Sequence, residues 1–301
     1  MKQKQRISIV YHRIDFDGIC SYAVIKRYLE TVNTAADIVV TPVPYTHGDP
    51  VPVLGNPDLV YVADICLPHE MMLDLMSRHR LVWIDHHATS IEAAAEHGYG
   101  NAPGLRMVGR GACELCWKYL FHMSRTPDIV KYLSAYDVFD KKRFDWEDVV
   151  LPIQYGMRNR ISLDAEKFCS LFQEYIDDCF DVLQEGKAIL NYIRSTGRIS
   201  CQAYGFEVSL AGEKALCLLT ASFGSIPMEE TANEHGCRIV LCVNRLGADR
   251  YKVSAYAPSG ETPVHLGNYF RDNYGGGGHA GAAGCVIDEK AFLRLLNDNI
   301  L

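Results

Sequence analysis

The sequence predicts an α/β protein in two parts. The N-terminal part is a doubly wound, mainly parallel sheet. A smaller mixed α/β domain follows, joined to it by a helical linker. Three observations carry this reading. Short apolar runs near 7–11, 58–63 and 81–84 alternate with helical stretches, and each ends in an acid or an imidazole; strand, polar loop and helix in that order build βαβ units. Residues 162–194 carry a long helical pattern, with Phe168, Leu171, Phe172, Ile176, Cys179, Phe180, Leu183, Ile189 and Ile193 on its apolar positions. Beyond it, strand pairs with hairpin-like turns replace the alternation. The 301 residues exceed one average domain, and the expected boundaries are 1–160, 161–198 and 199–301.

In order, Ile7–Tyr11 is the first strand and Ile19–Leu29 a helix. The second apolar run, Asp37–Val43, is ended by Pro42 and Pro44, and the Pro- and Gly-rich stretch 45–57 is a loop. Asp58–Ala63 is a strand, Pro68–Arg80 a helix and Leu81–Ile84 a buried strand. Gly109–Phe121 reads as a glycine turn and a helix whose amino end could hold a phosphate. Pro127–Tyr136 is a further helix, and Lys141–Asp148 a solvated surface. Gly186 marks a break in the linker helix and Gly197 its end. Strands follow at Cys201–Ala211, Ala215–Thr220, Arg238–Val243 and Tyr251–Ala257, with a helix inside 226–237 and another at Val264–Asn273. A strand, Cys285–Ile287, and a terminal helix close the chain.

Composition narrows the class. The hydrophobic fraction of 48% and charged fraction of 22% are those of a soluble globular protein, and no run approaches a membrane span. The basic N-terminus leads directly into a strand without a signal-peptide apolar region. Eleven scattered cysteines, an odd number, suggest a reducing compartment, so a cytoplasmic location is expected. Cys113 and Cys116 form a lone CxxC beside Leu115, Trp117 and Leu120, better read as a buried helix face than as zinc or redox chemistry. A net charge of −7 argues against a broad basic surface for long nucleic acids. It leaves room for a short anionic substrate at a local metal cluster.

The candidate chemistry sits at strand ends. His12, Asp15 and Asp17 follow the first strand, Asp64 the third, and Asp85, His86 and His87 the fourth. In open α/β sheets ligands bind at the carboxyl ends of strands. Helix capping would explain Asp17 alone, and a polar loop would explain Asp85-His86-His87 alone. Three such coincidences together point to a site. Oxygen and imidazole donors at this density suit Mn or Mg. Asp137 is a further candidate ligand and Asp140 a weaker one. Near the C-terminus, Gly275–Gly278 precede His279. A glycine run lets backbone approach a ligand and aim amides at anionic oxygen; the rival reading is a flexible linker.

These residues resemble the DHH phosphoesterase superfamily. His12-x-x-Asp15-x-Asp17-Gly18, Asp64, Asp85-His86-His87 and Asp137 are similar to its four ordered motifs, and Gly275–Gly284 is similar to the glycine-rich signature of its associated C-terminal domain. The resemblance spans nearly the whole chain. The two-domain form, with Ile84–Thr89 and Tyr136-Asp137, most resembles the nanoRNA-degrading oligoribonucleases, including those that act on 3′-phosphoadenosine 5′-phosphate.

The resemblance implies two divalent metal ions, Mn2+ first, with Mg2+ or Co2+ as alternatives. His12, Asp15 and Asp64 would hold one ion and Asp17, Asp64, His86 and Asp137 the other, with Asp64 bridging. Asp85 would orient His86, and His87 would face the scissile phosphate. Gly276, Gly277, Gly278 and His279 would hold the nucleotide from the C-terminal domain across a cleft, and Ser254, Arg110 and Arg271 are further substrate-binding candidates. A Ser-x-Arg element found in some nuclease members reads Val253-Ser254-Ala255-Tyr256 here, so its Arg is missing, and Arg271 or Arg245 are the candidates to replace it. The implied reaction is hydrolysis of phosphodiester bonds in nanoRNA or dinucleotides, with 3′-phosphoadenosine 5′-phosphate as a second substrate, through two-metal activation of a bridging water. An exopolyphosphatase or pyrophosphatase-like phosphohydrolase and a non-catalytic nucleotide sensor are the alternatives. The expected partners are a short single-stranded oligonucleotide or nucleotide, with no long nucleic-acid track, no membrane, and a homodimer as the candidate assembly.

Overall fold

The computed structural model describes residues 4–32, 38–122, 124–219, 224–258 and 262–297. The chain divides into two compact units, Met1–Ile189 and Leu190–Leu301.

The first unit holds β1 (Gln5–His12), α1 (Phe16–Val32), β2 (Ile38–Tyr45), β3 (Leu59–Ala63), α2 (His69–Ser77), β4 (Leu81–Ile84), α3 (Ala88–His97), α4 (Ala112–Leu120) and α5 (Asp128–Asp137). A π-helical turn (Trp146–Val150), α6 (Leu151–Ile161), α7 (Ala165–Asp177) and the start of α8 (Phe180–Tyr204) complete it. Its four strands are all parallel, in the order β2-β1-β3-β4. Alternate residues face opposite sides. Ile7, Ile9, Tyr11, Ala63 and Ile84 enter one core with α1, α4, α5 and α7. Val10, Val60, Val62 and Trp83 enter another with Met72 of α2 and Ala94 of α3. Helical residues therefore cover both faces, the doubly wound arrangement expected.

The second unit continues α8 and adds β5 (Phe206–Leu210), β6 (Glu213–Leu218), α9 (Ile226–Glu234), β7 (Ile239–Leu246), β8 (Arg250–Tyr256), α10 (Leu266–Tyr274), β9 (Gly277–Gly278), β10 (Ala282–Asp288) and α11 (Glu289–Asn297). Its sheet runs β5-β6-β7-β8-β10-β9 and is mixed: β6 and β7 are parallel and the other neighbours antiparallel. Leu266, Phe270, Phe292 and Leu295 pack on one face, and Met228 and Ala232 on the other.

Several local expectations are corrected. Pro42 and Pro44 do not end a strand; both pair with β1, opposite Ile9 and Tyr11. Two residues apart, their missing donors face the same side, and edge strand β2 has one side without a partner. Gly186 and Gly197 lie inside α8 rather than breaking or ending it. A Cβ at Gly186 would stand 1.7 Å from the Pro152 carbonyl oxygen, and one at Gly197 2.3 Å from Pro227 Cβ, so these glycines admit a close neighbour. The helix continues through Tyr204, and the strand expected from Cys201 begins only at Phe206. Helices α3 and α6 were not foreseen. The expected ends at Asp37 and Thr220 lie outside the described residues. Lys141–Asp148 is not simply solvated: Trp146 is buried and Arg143 grips a buried carboxylate. All eleven cysteines are free thiols, and all but Cys169 and Cys179 are buried. Among the described residues no helix is long and apolar enough to cross a membrane.

Candidate metal centre

The strand order fixes where the site forms. From β1 the chain moves outward to β2, then returns past β1 to β3 and on to β4. The carboxyl ends of β1 and β3 thus mark a topological switch point, where such sheets bind ligands. His12 ends β1, Asp64 follows β3, and Asp85-His86-His87 follow β4. Asp17 stands in the first turn of α1 and Asp137 is the last residue of α5.

Ligand atoms of His12, Asp15 and Asp64 lie within 4.8 Å of one another, as do those of Asp17, Asp64, His86 and Asp137. Asp64 belongs to both sets. His12 Nδ1 stands 2.6 Å from Asp15 Oδ2 and 3.7 Å from Asp64 Oδ2. His86 Nε2 is 3.1 Å from both Asp64 Oδ1 and Asp137 Oδ2, and 3.6 Å from Asp17 Oδ2. Asp64 adopts φ +61, a left-handed conformation uncommon outside glycine, though aspartate is among the residues that reach it more readily.

Three carboxylates around His86 and two around His12 perturb each other. Burial raises the Asp64 and Asp17 carboxyls; nearby Asp15 and Asp137 add to the rise at Asp64, as Asp64 and Asp137 do at Asp17. Burial disfavours charge on the imidazoles too, but carboxylate partners outweigh it. Asp15 and Asp64 lift His12 to about 10, and Asp137 and Asp64 lift His86 to about 11. Asp15 is held below its ordinary value: burial opposes this, and the His12 contact prevails.

The donor set fits divalent cations. Asp64 Oδ2 is buried with no hydrogen-bond partner among the described residues. Such an orphan is costly unless a cation or proton satisfies it. Carboxylate and imidazole donors in two adjoining sets match hard and borderline ions. His87 also comes within reach of Asp64 and His86.

Asp85 corrects one expectation. Its buried Oδ1 accepts the backbone N–H groups of His86 (2.7 Å) and His87 (3.1 Å), and contacts His87 Nδ1 at 2.8 Å. The ring it orients is that of His87; the His86 ring is held by Asp64 and Asp137. His12 Nε2 meets Thr46 Oγ1 at 3.1 Å.

The amino end of α4 is a second correction. It does not stand open for a phosphate, because Asp17 occupies it. Ala112 N–H donates to Asp17 Oδ2 at 2.5 Å and Cys113 N–H to Oδ1 at 2.9 Å. A Cβ at Gly111 would lie 2.7 Å from Asp17 Oδ1, so glycine lets α4 approach this carboxylate. Gly111 N–H donates to Ser134 Oγ, which donates to Glu114 Oε2 at 3.0 Å. Arg143 closes the chain with a two-pronged contact to Glu114, at 2.6 and 2.9 Å. Ser134, Glu114 and Arg143 were missed. The available signal was an acid inside the apolar stretch Ala112–Leu120.

Arg110 donates to Asp140 Oδ2 at 3.2 Å and to the Gly109 carbonyl. The remaining expected substrate residues lie in the second unit. Ser254 sits on β8 opposite Gly284. Arg271 is exposed on α10 and donates to its neighbour Asp272, and Arg245 donates to the Ala248 carbonyl. His279 is exposed, and its N–H donates to the Ala282 carbonyl. Internal packing explains part of the glycine run: Cβ atoms at Gly276 and Gly278 would lie 2.2 and 2.5 Å from the carbonyl oxygens of Gly284 and Ala282. Gly277 has open space around it.

The fold and site define a two-unit α/β chain with paired metal-ligand sets at a switch point. RecJ from Thermus thermophilus, solved with Mn2+, shares this fold at a TM-score of 0.50 and 15% identity, over 97% of this chain. The chain spans only 51% of that protein's length. The pGpG-specific phosphodiesterase PggH from Vibrio cholerae matches at 0.49 and 15% identity, over 97% of this chain and 95% of its own. An exopolyphosphatase-related protein from Bacteroides fragilis matches at 0.45 and 10% identity, over 98% and 92%. No family model and no curated protein sequence matches the chain.

Proposed function

We propose that this protein is a metal-dependent phosphoesterase that hydrolyses phosphodiester bonds in very short oligonucleotides or dinucleotides, with 3′-phosphoadenosine 5′-phosphate as a second substrate. One observation carries the reading: two ligand sets, His12-Asp15-Asp64 and Asp17-Asp64-His86-Asp137, share one buried aspartate. Bound divalent ions, Mn2+ first among them, would supply Lewis acidity, lowering the pKa of a water and stabilising charge on phosphoryl oxygens. The chain supplies the rest. Asp64 holds both sets in register. Asp17 is fixed by the α4 amides and Asp137 by the end of α5. Asp85 fixes the His87 ring through Nδ1, leaving Nε2 to hydrogen-bond a phosphoryl oxygen; the half-exposed side chain supports that role. Gly277, His279, Ser254 and Arg271 are the candidate nucleotide contacts of the second unit, and Arg110 is that of the first.

The test is hydrolysis with Mn2+ over a ladder of short RNAs, linear dinucleotides, 3′-phosphoadenosine 5′-phosphate and polyphosphate. Mononucleotide release from the shortest RNAs or dinucleotides is the expected result. Turnover of polyphosphate alone would overturn the substrate class, and nucleotide binding without any turnover would mark a sensor.

A further inference from the structure

We propose that Phe139 is a stacking platform for a nucleobase of the substrate, an inference that rests on the phosphoesterase reading. Phe139 stands two residues beyond the candidate ligand Asp137, with half of its surface exposed (52%). Its φ is +55, a conformation that a bulky side chain adopts at a cost and that glycine or asparagine would serve better. The turn is fixed on both sides: Phe139 N–H donates to the Tyr136 carbonyl at 3.2 Å, and Lys141 N–H donates to the Phe139 carbonyl at 3.0 Å.

The ring is braced from below. It meets Trp146 edge to face at 5.0 Å, and buried Trp146 stacks on Tyr136 with planes 3° apart. A core role would have buried Phe139 as it buries Trp146, and a pure turn role would not need an aromatic ring. What remains is an exposed aromatic surface on the turn that follows the candidate ligand Asp137. Lys141 Nζ stands 4.4 Å over the ring and so covers one face, while Arg110 is paired with Asp140, the next residue. Stacking is then left to the other face of the half-exposed ring, and a lysine on the first face suits a base that carries a phosphate. Stacking tolerates any base, so the platform would favour nucleotides as a class over base-free phosphates.

The experiment compares wild type, Phe139→Leu and Phe139→Trp with Mn2+, on an adenine dinucleotide and on its abasic counterpart. Phe139→Leu should raise KM for the adenine substrate by about 5- to 150-fold, the equivalent of ~1–3 kcal/mol for base stacking. It should leave kcat and abasic turnover near wild type, and Phe139→Trp should restore the adenine KM. A 2-aminopurine dinucleotide gives a readout independent of turnover: its fluorescence should be quenched on wild type and on Phe139→Trp, and much less on Phe139→Leu. Equal losses on both substrates, or equal quenching by all three proteins, would overturn the platform. If wild type turns over no phosphodiester at all, the phosphoesterase reading falls, and the quenching comparison still decides the platform.

Discussion

Replacing Arg143 by Ala should destabilise the first unit by about 3 kcal/mol. The Glu114 side chain is 1% exposed and receives the Arg143 fork, Lys118 Nζ at 3.1 Å and Ser134 Oγ. Breaking a buried pair by removing one partner costs about 3–5 kcal/mol, because a charge is left uncompensated; the remaining Lys118 and Ser134 place the expectation at the lower end. The proton linkage agrees. Burial alone would raise the Glu114 carboxyl, but Arg143 and Lys118 overcome it and hold it at about 2 rather than 4.5, a difference worth roughly 3 kcal/mol. Because the folded value is depressed, this stability is full above 4.5 and is lost as pH falls from 4.5 towards 2. Urea unfolding of wild type and Arg143→Ala at pH 7 and pH 3, with the two units resolved as separate transitions where they separate, provides the assay. A loss below ~1 kcal/mol at pH 7, or an unchanged acid limb in the variant, would refute the reasoning. The double variant Glu114→Leu/Arg143→Met should recover much of the loss, since it leaves no buried charge.

Three further outcomes are expected. Metal binding should release protons near pH 8, because His12 and His86, raised to about 10 and 11, carry protons that a bound cation must displace; affinity should therefore fall as pH is lowered, and calorimetry in buffers of different ionisation enthalpy that finds no release would contradict this. Ser134→Ala should lower metal affinity about 10- to 100-fold by freeing the support behind Asp17, as read by Mn2+ titration; an unchanged affinity would show that α4 is held without it. Gly186→Ala should cost about 1–3 kcal/mol in denaturant unfolding, because its Cβ meets the Pro152 carbonyl; a stabilising effect would show that helix propensity outweighs the contact.

Much of the candidate site was legible because acids and imidazoles recur at the ends of three apolar runs. His12, Asp64 and Asp85-His86-His87 each follow an apolar run, and strand order alone brings such ends together. The division into two sets sharing Asp64 rested on the family resemblance. What lay hidden depends on distance in the chain. Nothing local links Arg143 to Glu114, 29 residues away. Nothing local shows that Asp17 caps α4, 95 residues on, in place of a phosphate. Gly186 and Gly197 look like helix breakers until the neighbours that require them are seen. Pro42 and Pro44 look like strand ends because edge position is a property of the sheet.

If Asp64 joins two cation sites, one chain should bind two Mn2+ ions close enough to couple magnetically. Equilibrium dialysis with paramagnetic resonance of the bound ions should find two Mn2+ per chain with an exchange-coupled signal in the wild type. In Asp64→Asn the coupled signal should vanish, and phosphodiester turnover should fall by at least ~100-fold. One uncoupled ion in the wild type, or a coupled pair that survives in Asp64→Asn, would show that Asp64 does not join two sites.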